Sequence, residues 1–300
     1  MIERCNLCSS NLLIKVDNNV QDFEYMSSGS YTYWRCEKCG LLNIDPVPDE
    51  TKLSEAYPRS YHAYHSQPTS LARYFKRKYW EKKAFRYAKF TNNEAYILDI
   101  GCSHGDLLAE LQKRGYKNVF GLDFNREIIE IAKSRGLDVY HGSIESYPAK
   151  NGSFHMIIMD NFIEHVYNPV ESLKRCNELL SSGGIVVGET PNTDTWDYKL
   201  FRRHWGGYHT PRHLYLFNID NLYILAEKAG FQVKSIHNIL QPAHWTLSIQ
   251  NLLQDSVFHT AIKNGRCFYF TSLIVLSIPV NVLQMMLSKT SLVEFVFEKR

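Results

Sequence analysis

The stretch that most constrains this chain is Tyr96 to Leu108, YILDIGCSHGDLL. Tyr96, Ile97 and Leu98 run up to Asp99 as in a buried parallel strand. Gly101, Ser103 and Gly105 then make a tight turn, and Asp106, Leu107, Leu108 and Leu111 open a helical pattern. A strand, a glycine turn and a helix in that order aim backbone N–H groups and the positive end of a helix dipole at one spot beside a ligand. The pattern predicts an α/β fold around that unit. The plainer alternative is an ordinary βα turn.

Such a turn serves a dinucleotide or S-adenosylmethionine (SAM). Its form, D-x-G-x-S-x-G, is not the G-x-G-x-x-G dinucleotide fingerprint. It resembles motif I of the class I SAM-dependent methyltransferases, with Ser103 at the family's middle glycine. Later signals follow in family order over Ala95 to Phe231. Lys117 to Leu122 reads as a second strand ending at Asp123, where a carboxylate can accept both hydroxyls of a ribose. HGSIESYP resembles the adenine-contacting loop after strand 3, FHMIIMD reads as strand 4, and GGIVVGETPN as strand 5. The resemblance implies a Rossmann-like α/β sandwich with a seven-stranded, mostly parallel sheet. It implies SAM contacts from Asp99, Gly101, Cys102, Ser103, Gly105, Asp123, Phe124, Ser143, Ile144 and Asp160. Phe231 to His237 would be strand 6, and Leu292 to Phe297 an antiparallel strand 7.

The 300 residues suggest about two domains. The segment before about Pro48 carries CNLC and CEKCG. Two C-x-x-C knuckles, Cys5 with Cys8 and Cys36 with Cys39, predict a small zinc ribbon closed by four thiolates around structural zinc, taking no part in methyl transfer. No secretion signal is apparent, which disfavours disulfides and points to the cytoplasm. Cys102, Cys176 and Cys267 read as small buried residues. A net charge of +3 is too small to argue for a nucleic-acid partner.

Residues 49–94 form a bridge. Tyr57, Tyr61 and Tyr64 pack over the cofactor or, as the blander reading has it, fill a seam. Leu71 to Phe90 has no Gly or Pro, and its charges are basic save Glu81. It reads as a helix that either lies over the sheet or offers a surface to anionic lipid or a polyanionic substrate.

Two stretches could meet an acceptor. MDNFIEHV follows strand 4, with Glu164 and His165 either starting a helix or orienting the acceptor and removing its proton. Ubiquinone O-methyltransferases and small-RNA 2′-O-methyltransferases carry a similar E-x-x-E-H that holds a divalent cation. Here the first position is Asn161, so Mg²⁺ is allowed but not expected. After strand 5 comes TPNTDTWDYKLFRRHWGGYHTPRHLYLFN, too long for a plain connection. It resembles a W…PRHL segment of methyltransferases from bacterial surface-polysaccharide clusters. Trp205 and Tyr208 would offer faces for a sugar, Arg212 a planar donor, and His209 and His213 imidazoles for catalysis. Asn218 should cap a helix that Gly230 ends.

Residues 241–290 form an apolar insertion before the last strand, residues 291–300. Cys267 to Leu287 is uncharged and long enough to span a bilayer. A crossing would carry strand 7 away from its sheet. Two short apolar helices broken at Pro279 are predicted instead, lying on the protein, in a homodimer, or on the inner face of the cell membrane. The functional expectation is O-methylation of a sugar in a cell-surface glycan or its lipid- or nucleotide-linked precursor. The alternatives are a quinone-like or lipid acceptor, and a non-catalytic zinc-ribbon adaptor.

Overall fold

The computed structural model describes residues 2–58, 70–256 and 262–300. The chain opens with β1 (Leu13–Val20), β2 (Tyr31–Cys36), β3 (Leu42–Asp45) and a short helix α1 (Glu50–Glu55) capped by Asp49. The helix α2 (Ser70–Tyr87) follows. Strands and helices then alternate: β4 (Ile97–Ile100), α3 (Asp106–Lys113), β5 (Val119–Asp123), α4 (Arg126–Ser134), β6 (Asp138–His141), β7 (Phe154–Asp160), α5 (Pro169–Leu179) and β8 (Leu180–Pro191). A long loop holds α6 (Trp196–Phe201) and β9 (Tyr215–Leu216). After it come α7 (Ile219–Lys228), β10 (Phe231–Asn238), α8 (Pro242–Asp255), the hairpin β11 (Ile262–Lys263) and β12 (Arg266–Cys267), α9 (Phe270–Met286) and β13 (Leu292–Lys299).

The large sheet has seven strands in the order β10-β13-β8-β7-β4-β5-β6. The pairs from β8 to β6 are parallel, and β13 runs antiparallel between β8 and β10. This is the predicted Rossmann-like sheet, with its antiparallel strand in the predicted place. Buried residues alternate between the two faces. Leu98, Ile157, Val186 and Phe295 belong to one apolar layer, and Ile97, Ile158, Val187 and Val296 to the other. Strand order reverses between β4 and β7, so their carboxyl ends leave a crevice of the kind in which α/β proteins seat ligands. Asn218 caps α7 through a mutual bond pair with Asn221, and Gly230 follows with φ of +81°, as the sequence indicates.

Several details differ from the sequence reading. The strands β1, β2 and β3 continue into a fourth, β9, which belongs to the loop after β8. The helix α2 does not turn all its basic residues outward. Asp160, Glu189 and Glu294 end up on one face of the sheet, and α2 supplies their countercharges. Lys83 Nζ lies 2.9 Å from both Asp160 and Glu189, and Arg86 Nε is 2.8 Å from Glu294. The pair Glu164–His165 sits in a turn, not a helix start, because α5 begins only at Pro169 behind its cap Asn168. The run predicted as two short helices is one helix, α9, with Pro279 inside it. A proline removes one backbone bond. Asn281 and Gln284, buried one turn on, tie the helix to its neighbours and carry it past the break. No helix among the described residues is long and apolar enough to cross a membrane. Tyr61 and Tyr64 lie outside the described residues.

Candidate functional site

The crevice begins at the glycine turn. Gly101 and Gly105 both have φ of +74° and Ser103 has φ of +49°, so the backbone curls back on itself, with the Gly101 and Cys102 N–H groups bonded to the Leu122 carbonyl and the Gly105 N–H to that of Cys102. The left-handed φ of Gly105 is what favours glycine there, since the nearest atom to an added Cβ, Leu137 Cδ1, is the movable end of a side chain. Asp123 ends β5 and braces the turn: one oxygen accepts from Ser103 N–H at 3.1 Å, the other from Asn125 N–H at 2.9 Å. Burial raises its pKa, and these backbone bonds oppose the shift. Asp99 is buried beside it, its pKa raised well above the usual range by burial and the nearby Asp160. Phe124 is exposed and meets Tyr57 edge-on at 5.5 Å. Ser143 is exposed and Ile144 fully buried at the start of the next loop. Cys102 lies buried beneath the turn with a raised thiol pKa, the small packing residue the sequence suggested. Asp160 is a correction. Its carboxylate pairs with Lys83 and accepts from the Tyr87 hydroxyl, so both oxygens serve to dock α2.

The second part of the site joins two distant stretches. The Leu214 N–H bonds the Glu164 carbonyl at 2.8 Å, which brings His213 over Glu164. Glu164, His165 and His213 each place one ligand atom within 4.8 Å of the others. The Thr190 hydroxyl donates to Glu164 Oε2 at 3.0 Å, while Oε1 is buried without a hydrogen-bond partner. His213 Nδ1 faces the Gly207 carbonyl at 2.9 Å and must donate to it, which leaves the Nε2 lone pair 3.9 Å from Glu164 Oε1. His165 Nδ1 is 2.9 Å from the Arg212 carbonyl and 3.1 Å from the Tyr57 hydroxyl. Burial pushes Glu164 up to about 8 and His165 down to about 3, and holds His213 well below its ordinary value. His209 packs 4.9 Å from His213 and meets Glu24 at 2.6 Å. A cavity of about 510 Å³ runs from Cys102, Ser103 and His104 to His165, His209 and His213.

The three residues expected to bind substrate are buried, and of them Arg212 lines the cavity. Trp205 is fully buried and donates to Asp197 at 2.6 Å. Tyr208 is buried and donates to Asp17 at 2.6 Å. Neither presents a face to a sugar. Arg212 is buried between Asp22, Glu24 and the Ala56 carbonyl, at 3.0–3.1 Å. The bonds of Tyr208 and Arg212 join the loop to the N-terminal segment, while that of Trp205 stays within the loop. Sequence reasoning missed their partners Asp17, Asp22 and Glu24, which stand in an ordinary polar stretch. It also missed His244, a buried residue of α8 that lines the cavity.

The cysteines converge as predicted. Cys5 Sγ lies 3.6 Å from Cys39 Sγ and Cys8 Sγ 3.4 Å from Cys36 Sγ, with all four within 4.8 Å of one another and none in a disulfide. Sulfurs around zinc stand about 3.8 Å apart when Zn–S bonds are about 2.3 Å. The cluster therefore fits one tetrahedral zinc ion.

Comparison with known proteins gives a consistent picture. The chain is 27% identical over 156 residues, covering 49% of it and 56% of the relative, to a Mycolicibacterium smegmatis protein named as a probable S-adenosylmethionine-dependent methyltransferase. It is 33% identical over 110 residues, 35% of it and 44% of the relative, to the ubiquinone biosynthesis O-methyltransferase of Roseobacter denitrificans. The matched part thus spans about half the length of these curated relatives. A SAM-dependent methyltransferase structure from Archaeoglobus fulgidus shares the fold with a TM-score of 0.50 and 20% identity, over 74% of this chain and 94% of that one. Residues 71–236 match the family described as "Methyltransferase domain". With more than half of its length in that match, and with the sheet order, glycine turn and strand-end carboxylates described above, the chain belongs to this methyltransferase family.

Proposed function

We propose that the chain transfers the methyl group of SAM to a hydroxyl oxygen. The observation that carries this reading is the cluster of Glu164, His165 and His213, whose two histidines line the cavity that begins at the glycine turn. SAM supplies an electrophilic methyl, so the protein's tasks are alignment and proton removal. The acceptor oxygen bonds to the methyl carbon as the carbon–sulfur bond breaks, leaving S-adenosylhomocysteine. His213 is neutral, and its Nε2 can take the hydroxyl proton. The Gly207 carbonyl fixes the tautomer; Glu164, raised to about 8 by burial, lies 3.9 Å from the same Nε2 and can stabilise the imidazolium in its ionised form.

The acceptor we favour is a sugar hydroxyl of a cell-surface glycan or its lipid- or nucleotide-linked precursor. A sugar hydroxyl is a much weaker acid than a phenol and gains more from a built base. A second reading, a quinone-like phenol, is supported by the relatives named for ubiquinone biosynthesis. The same donors would suit a divalent cation, and two imidazoles with one carboxylate favour a transition metal over Mg²⁺. We also propose one structural zinc on Cys5, Cys8, Cys36 and Cys39.

The test measures S-adenosylhomocysteine release with lipid-linked glycans, sugar nucleotides and catechols as acceptors. His213→Asn and Glu164→Gln should lower turnover by about 10²–10⁴-fold, the usual contribution of acid–base catalysis, with SAM affinity retained. Normal turnover in both variants defeats the assignment. Full activity after treatment with EDTA removes the cation from the reading.

A further inference from the structure

The helix α9 is folded inside out. Its polar residues Ser277, Asn281 and Gln284 fall at helical spacing and are 4%, 0% and 0% exposed. Its apolar residues face outward: Val275 is 61% exposed, Leu276 73% and Met286 76%, with Ile278, Val282, Leu283, Met285 and Leu287 beside them. The buried stripe is bonded throughout. Asn281 accepts from the Gln241 N–H at 2.7 Å, and Gln284 accepts from the Trp245 indole at 2.7 Å and donates to Asp197 at 2.9 Å. Ser277 meets Thr246 of α8 at 3.5 Å. In water a helix on a protein surface buries its apolar stripe. The reverse order, with polar side chains joining helices and apolar ones outside, is the arrangement that suits a hydrocarbon solvent.

Charge points the same way. Between Asp255 and Glu294 the sequence has no acidic residue and three basic ones, Lys263, Arg266 and Lys289. Lys289 is paired with Asp194. Lys263 and Arg266 are exposed on the hairpin that leads into α9, next to Phe268, which is 89% exposed. Arg266 and Phe270 also line the cavity that reaches the histidines, together with Lys76, Tyr79 and Trp80 of α2.

We infer that α9 lies in the headgroup–acyl boundary of an anionic bilayer, with Lys263 and Arg266 on lipid headgroups and the cavity opening beside the membrane. The protein sits on one leaflet and does not cross it. An amphipathic helix binds in this way through its apolar face plus attraction to anionic lipid.

Flotation of the full chain with vesicles tests this. It should float with vesicles of phosphatidylcholine and phosphatidylglycerol and more weakly with phosphatidylcholine alone. Lys263→Ala and Arg266→Ala should each weaken binding to the anionic vesicles about fivefold, the effect of one cation at such a surface. Leu276→Glu with Met286→Glu should abolish flotation while circular dichroism and SAM binding stay as in the parent. Three results would overturn the inference: no flotation of the parent, unchanged flotation of the Leu276→Glu, Met286→Glu variant, or a dimer in light scattering that this variant splits while the parent ignores vesicles. The last would show that a second copy covers the face.

Discussion

Asp123 has an evident role in the fold, since its carboxylate braces the glycine turn and the start of α4, and the sequence also proposes it for the ribose of SAM. Asp123→Ala should weaken SAM binding by about 1–3 kcal/mol, the range for hydrogen bonds to a charged group, when measured by calorimetry. An affinity equal to the parent's in a folded variant would remove Asp123 from the cofactor site. His244 makes a different prediction. Burial lowers its pKa from 6.5 to about 3, so the native state refuses a proton that the unfolded chain accepts. Stability from this residue is complete above pH 6.5 and is lost as pH falls toward 3. At pH 5 the loss should be about 2 kcal/mol. Urea unfolding at pH 7 and pH 5 should show a smaller acid penalty in His244→Gln than in the parent. An equal penalty would mean that His244 stays protonated in the fold.

At the scale of elements, the N-terminal strands and the candidate active-site loop form one structure. The pairing of β3 with β9 sets the loop's path, and the Tyr33 hydroxyl donates to the His213 carbonyl at 3.0 Å. The cysteines are therefore remote from the chemistry but not mechanically independent of it. Cys36→Ser should lose the zinc in elemental analysis, expose residues 1–45 to limited proteolysis, and lower turnover while SAM still binds. Retained zinc, or full turnover after its loss, would separate the ribbon from the loop. The helix α2 shows why composition alone misled. Seven basic residues between Ser70 and Tyr87 suggest an outward-facing surface. Asp160, Glu189 and Glu294 come from strands far apart in sequence, and only sheet order reveals that they share a face in need of Lys83 and Arg86.

Over the whole molecule, the fold was legible wherever local pattern and function coincide. The glycine turn, Asp123 and the apolar strands announce themselves because a tight turn, a carboxylate that braces it from the next strand end and a buried parallel strand each restrict residue type. The paired knuckles did the same for the cysteine cluster. Glu164 and His213 could be named as candidates, but their meeting depends on a backbone bond between stretches about fifty residues apart. Trp205 and Tyr208 are buried against carboxylates, and aromatic side chains in a loop look alike in sequence whether they face a ligand or such a partner. The partners of Tyr208 and Arg212, in β1 and just after it, carry no signal of their own. The joining of β3 to β9 also has a consequence in time. About 170 residues must be synthesised after Leu42 before its partner Leu216 exists. At about 5–20 residues per second, that is roughly ten to thirty seconds on the ribosome. Throughout that interval the edge of β3 stands open, and the first strands have no loop to grip. Early capture of metal by the four cysteines would give the nascent segment a fixed shape, so cells starved of zinc during synthesis should accumulate aggregated chains even where the finished protein resists chelators.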